Sequence, residues 1–280
     1  MAGIVEWPSQ NTGPARRCAC LAYNRVQQAQ VSKVVTPDKT AAGLSRRFPT
    51  TSWSLISAAG RDSAESADAL GALCAAYWTP VYAFIRRKGY TREESEDLSQ
   101  AFFTRVLEHR TLAEARRERG KFRSFLLASV TNFLANEWDR SRTQKRGGDS
   151  IALSFDFDTG EERYHREPYH ELTPEALFER QWAMALLDRV LGRQREEYVR
   201  RGNATHFDLL KVFLTGDHGR GENHELAAQL EMSGAAIRTA VHRLRRRYAE
   251  LLREEIAATV ADGDEVEAEI RFLLAALERA

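Results

Sequence analysis

Cysteine is scarce in this chain. Its 280 residues include three, Cys18, Cys20 and Cys74. An odd number without framework spacing excludes a disulfide scaffold and fits a reducing compartment. Cys18 and Cys20 are too few for a zinc site, and no pair of histidines completes one. No run approaches the roughly 18 apolar residues of a membrane span. The N-terminus also lacks the charged start and apolar core of a signal peptide. A soluble cytoplasmic protein with no membrane partner is expected. There is no nucleophile elbow, no phosphate loop, no metal-ligand spacing and no acid pair in a catalytic context. These absences predict a chain that is not an enzyme and that uses neither metal nor cofactor.

Net charge is almost absent as well: 41 Lys and Arg stand against 40 Asp and Glu. The sum hides alternating blocks. Residues 116–146 and 238–253 are basic, whereas 149–171 and 262–269 are acidic. The length allows two compact domains, each with its own core, and there is no internal repeat.

Hydrophobic periodicity is helical throughout. Residues 1–47 show no sustained period and are expected to be a disordered or weakly ordered tail. From Phe48 the character changes, and Thr51 to Ile56 reads as a helix start with hydroxyl residues able to cap it. Leu70, Leu73, Cys74, Tyr77, Val81, Phe84 and Ile85 recur at three- and four-residue steps, which predicts a core-facing helix. Pro80 is expected to bend or divide it. Thr91 and Glu94 form a capping box for a helix over 92–108, with Leu98, Phe102 and Val106 as its stripe. Its clustered carboxylates have no histidine or second acidic motif beside them, so they read as an N-terminal charge preference or a partner-binding face.

A basic loop over 116–122 leads into a helix from Arg123 to about Arg142, with Leu126, Val130, Phe133 and Leu134 facing its core. Asn132, Asn136 and Arg140 stand at four-residue steps on another face. Basic residues interleaved with Phe122, Phe125 and Trp138 suit an unpaired nucleic-acid strand, where aromatics stack bases and cations hold phosphates. The competing reading, that these aromatics are core, is favoured for Phe125; Phe122, at the loop edge, is open to both. Residues 147–172 read as an irregular acidic linker. Thr173 and Pro174 then start a new amphipathic helix through Leu177, Met184, Leu187, Val190 and Leu191.

The most distinctive stretch runs from Asn223 to Leu252. Leu226, Leu230, Met232, Ile237 and Ala240 have the spacing of two helices crossing over a three-residue turn. Glu231 occupies the turn position that usually favours Gly, at a cost of about 1 kcal/mol if the backbone is left-handed there. The second helix carries Arg238, Thr239, His242, Arg243, Arg245, Arg246 and Arg247. Such a helix fits the major groove, with its first residues toward base edges and its arginines toward phosphates. The plainer alternative is a helical hairpin with a solvated arginine face.

Two separated motifs in this order resemble the extracytoplasmic-function (ECF) group of bacterial RNA polymerase sigma-70 family factors, over roughly 48–256. Residues 96–103 resemble the helix that grips the clamp helices of the polymerase largest subunit. Residues 122–132 resemble the segment that opens and reads the minus-ten element, and residues 225–230 with 236–245 resemble the minus-thirty-five reader. The resemblance implies an all-α fold of two helical domains, at 48–146 and 173–257, joined by the 147–172 linker; the C-terminal helical extension over 258–280, read from the apolar side formed by Val266, Ile270, Leu273, Leu274 and Leu277, lies outside that two-domain pattern. It implies a sigma factor that binds core polymerase, through the clamp helices and the flap region, and promoter DNA; an anti-sigma factor is a further partner of the class. Asp97, Gln100 and Arg105 are the implied polymerase contacts. Lys121, Phe122, Asn132, Asn136 and Arg140 are implied at the minus-ten strand, and Arg238, Thr239, His242, Arg243 and Arg246 at the minus-thirty-five duplex. The alternative is a helix-turn-helix transcriptional regulator that does not bind core polymerase, which would have no need of the Asp97–Gln100 helix.

Overall fold

The structure is a computed structural model that describes residues 64–108, 121–143, 155–166, 172–214, 229–260 and 262–279. Every regular element among them is helical, and no strand occurs among the described residues. The all-α expectation holds at that level. The tail over 1–47, the helix start at 51–56, the loop over 109–120 and the first helix of the 223–252 motif lie outside the described residues.

Helix α1 (Ala64–Arg87) runs unbroken through Pro80. An internal proline removes one backbone hydrogen bond, but Tyr77, Val81, Phe84 and Ile85 around it are fully buried, and that packing keeps the helix whole. Helix α2 (Arg92–Glu108) starts with the predicted reciprocal cap. The Glu94 N–H donates to Thr91 Oγ1 at 3.2 Å, and the Thr91 N–H donates to Glu94 Oε2 at 2.9 Å. Its inner face is broader than the apolar stripe suggests. Ser95, Ser99 and Phe103 are buried with Phe102 and Val106, while Leu98 is half-buried. Helix α3 (Phe122–Thr143) buries the predicted Leu126, Val130, Phe133 and Leu134.

The acidic segment contains a helix, α4 (Phe157–Arg166), where an irregular linker is expected. Two contacts seat it on α1. The Glu161 carboxylate is buried and accepts from Arg86 Nε at 3.0 Å, from Arg86 Nη2 at 2.7 Å and from the Tyr82 hydroxyl. Burial pushes this carboxyl up, and the Arg86 and Tyr82 hydrogen bonds outweigh it, so the group stays below its ordinary range. Gly160 faces the Trp78 ring so closely that a Cβ there would lie 2.5 Å from Cη2. Phe155, Phe157 and Tyr82 pack around that indole.

Helix α5 (Pro174–Arg200) begins at Thr173, whose hydroxyl accepts from the Ala176 N–H. It lies along α1 through Leu177, Phe178, Trp182 and Leu186. A short helix α6 (Ala204–Leu210) and a 3-10 turn (Lys211–Leu214) follow. Helix α7 (Gly234–Ala257) and helix α8 (Val266–Glu278) complete the chain. The principal core draws Tyr77, Phe122, Trp182, Leu251, Ile256, Leu273 and Leu277 into one cluster. It takes side chains from both sides of 147–172. A smaller core joins Phe207, Leu210 and Phe213 to Leu244 of α7.

Gly160 supplies a stability test. Overpacking a core contact costs about 1–3 kcal/mol, against about 1 kcal/mol gained by exchanging Gly for Ala inside a helix. Gly160→Ala is therefore expected to destabilise the chain by on the order of 1 kcal/mol, read as a lower urea midpoint. An unchanged or higher midpoint would mean that the Trp78 ring yields without cost.

Candidate nucleic-acid interface

The start of α7 is built from a backbone constraint and a cap. Glu231 has φ +50°, the single non-glycine residue with positive φ among the described residues. This is the left-handed conformation that the turn position demands and that a side chain disfavours. Two residues on, Ser233 is extended and its Oγ accepts from the Ala236 N–H at 3.2 Å, capping the helix. Ile237 and Leu244 are fully buried, and Leu230 and Ala240 pack beside them.

Burying that stripe turns the opposite face outward. Arg238, Thr239, His242, Arg243 and Arg246 are all exposed. Arg238 with His242, and Thr239 with Arg243, are one helical turn apart and so neighbours on one surface. The Thr239 hydroxyl donates to the Ala235 carbonyl at 3.1 Å, and Arg246 pairs with Glu250 at 3.1 Å in solvent. The arginine run divides in two. Arg245 donates from Nε to the Phe213 carbonyl at 2.9 Å and so holds the 3-10 turn. Arg247 pairs with Glu197 of α5 at 2.6 Å and reaches Glu250 and Glu254 at 3.3 Å. The Arg247 hydrogen bond keeps the Glu197 carboxyl below its ordinary value. Arg247 is half-buried and tied to α5, whereas Arg245 is exposed as expected from sequence and also holds the 3-10 turn.

The residues expected at a polymerase surface lie on α2. Asp97 is exposed and Gln100 is half-buried, three residues apart. Arg105 lies toward α3, with Nη1 3.8 Å from Glu137. The residues expected at an unpaired strand are not all together. Asn132 and Asn136 are exposed on α3, while the Arg140 side chain lies outside the described residues. Phe122 is 0% exposed, packed edge-on to Tyr77 at 5.3 Å and tilted to Trp182 at 5.8 Å. Its ring is core, with no face open to a base in this arrangement. Lys121 Nζ is 2.7 Å from Glu269 of α8.

An open groove of about 460 Å³ beside α3 is lined by Lys88, Tyr90, Thr131, Leu134, Trp138 and Asp139. Trp138 is 56% exposed. Sequence reasoning named Trp138 as one of the interleaved aromatics but missed Lys88 and Tyr90, which come from the turn between α1 and α2. The only signal was their position at a helix end, which does not say what they face.

Among the described residues no cluster of His, Cys, Asp and Glu is placed to hold a metal ion, and no helix is long and apolar enough to cross a membrane. No protein-family model matches the chain, and neither does any curated protein or solved structure.

The strained turn yields a direct test. Glu231→Gly removes a left-handed penalty of about 1–2 kcal/mol and adds back a smaller unfolded-state entropy term. The chain is expected to gain about 0.5–1 kcal/mol, whereas Glu231→Ala, which keeps the penalty, gains nothing. Thermal unfolding of the two variants side by side decides it.

Proposed function

We propose that this chain is a non-catalytic specificity subunit of bacterial RNA polymerase, a sigma factor of the ECF group. It binds core polymerase and directs promoter recognition, DNA melting and initiation. The observation that carries this reading is the outward face of α7, where Arg238, Thr239, His242 and Arg243 are exposed immediately after a positive-φ turn and a serine cap. A helix presented in that way can enter a major groove, and arginines on its flanks gain phosphate contacts. Exposed Asp97 on α2 supports the second half of the reading, since a carboxylate on a helix surface is suited to a basic protein partner.

One observation favours the runner-up, a helix-turn-helix regulator that never docks on core polymerase. Phe122 is core and Lys121 is ion-paired, so two of the residues assigned to the melted strand are engaged within the protein.

Run-off transcription with core polymerase and a genomic fragment pool separates the two readings. A sigma factor produces discrete new start sites. Asp97→Ala with Gln100→Ala should weaken binding to core polymerase about tenfold, roughly 1.4 kcal/mol, and leave duplex binding intact. Duplex binding without core binding in the unaltered chain would establish the regulator instead. Arg243→Ala should lower the salt slope of duplex binding by about one phosphate contact, measured by anisotropy across a salt series; an unchanged slope would remove Arg243 from the interface.

A further inference from the structure

The start of α3 is fastened from the far end of the chain. Arg123 donates from Nε to Glu269 Oε1 at 2.6 Å, and Lys121 Nζ is 2.7 Å from Glu269 Oε2. Arg123 Nη1 is 3.4 Å from Glu179 of α5, and its guanidinium lies 3.7 Å over the Phe272 ring. The Phe122 N–H donates to the Thr259 carbonyl at 3.0 Å. On the other edge of α8, Arg180 donates to the Leu277 carbonyl, and Arg279 pairs with Glu179 at 3.2 Å.

Glu269 is 2% exposed, whereas Lys121 keeps 29%. Burial pushes the Glu269 carboxyl up, and the hydrogen bonds from Arg123 and Lys121 outweigh it, so the group stays ionised below its ordinary range. This is a costly way to attach a helix. Buried ion pairs add little net stability over apolar residues of the same shape, and Val266, Leu273 and Leu277 already bury an apolar face of α8. A carboxylate held by an arginine and a lysine can do what a leucine cannot, which is to compete with another anion. A phosphate oxygen is satisfied by the same donors, in the same charge-assisted geometry. The partial exposure of Lys121 places one edge of the cluster at the surface, where such an exchange can begin.

We propose that α8 is an intramolecular clasp, with Glu269 occupying the anion site at Lys121 and Arg123 that a phosphate of an unpaired DNA strand takes when the clasp opens. The closed chain described above is the restrained form. Opening moves α8 away from the start of α3 and frees Lys121, while Arg123 loses Glu269 and keeps Glu179 of α5. This inference rests on the sigma reading for its ligand, an unpaired strand.

The test uses the full chain and a fluorescein-labelled single-stranded DNA oligonucleotide. Glu269→Gln keeps the shape and removes the competing charge. Strand affinity should rise about tenfold, with a salt slope steeper by up to about two phosphates, while duplex binding through α7 stays unchanged. Lys121→Ala added to Glu269→Gln should abolish most of the gain. Amide hydrogen exchange in α8 of the unaltered chain should accelerate when oligonucleotide is added, a readout that needs no variant and so stands even if Glu269→Gln folds poorly. Unchanged exchange at saturating oligonucleotide, unchanged strand affinity in Glu269→Gln, or no strand binding by either protein would each overturn the clasp. Run-off transcription keeps the two ideas apart. New start sites with equal strand affinities leave the sigma reading standing without the clasp. Raised affinity with no transcription leaves the clasp standing without the sigma reading.

Discussion

The rest of this structure depends on one aromatic contact. Tyr77 of α1 and Trp182 of α5 stack with ring centroids 4.3 Å apart and an interplanar angle of 7°. Such a pair contributes about 0.5–1.5 kcal/mol beyond the area it buries, and its larger effect is geometric. It fixes these two long helices side by side, and Phe122 then fits edge-on against Tyr77. The start of α3 is thereby placed in the angle between α1 and α5. Phe178 and Phe84 extend the same contact toward the other end of the pair.

That arrangement has an electrostatic consequence. Because Phe122 is drawn inward, Lys121 and Arg123 on either side of it are carried against α5 and α8. Arg123 is buried, and exposing it fully breaks its contacts to Glu269, Glu179 and Phe272. The same logic operates at α4, where Tyr82 and Arg86 converge on Glu161. In both places a helix carrying acidic residues is attached through a buried carboxylate as well as through its apolar side chains.

This explains which parts of the fold were legible in the sequence. The Thr91–Glu94 box and the Leu126–Leu134 stripe depend on local spacing, and both are found as read. The cost at Glu231 was also local, since a turn of that length needs a left-handed residue whatever surrounds it. Helix α4 was not legible because its ten residues are mostly polar, and Glu161, which patterning assigns to solvent, is buried along with Tyr164. The split among the arginines of α7 was hidden for a similar reason. Arg243 and Arg245 are equivalent by composition, and only the position of the Phe213 carbonyl distinguishes them. Phe122 stood at a loop edge, and nothing near it in sequence reports that Trp182 packs on it.

The two ends of α7 therefore have different physical tasks. Its 24 residues span about 36 Å at 1.5 Å per residue. The first turns present Arg238, Thr239, His242 and Arg243 to solvent, while the last turns are tied to α5. Arg193 bridges Glu254 at 2.8 Å and Glu255 at 2.9 Å, and Arg189 also pairs with Glu255. With Arg247 on Glu197, these contacts fix the C-terminal half of α7 to α5. A movement of α8 that rotated α7 would have to break several ion pairs and the Leu251–Ile256 packing together. A movement in the connection between α7 and α8 leaves those ion pairs in place and breaks the contacts of α8, the Phe122–Thr259 hydrogen bond and the core packing of Val260, which is fully buried. If the clasp opens, it does so there, and the duplex-facing surface of α7 stays where the closed structure holds it.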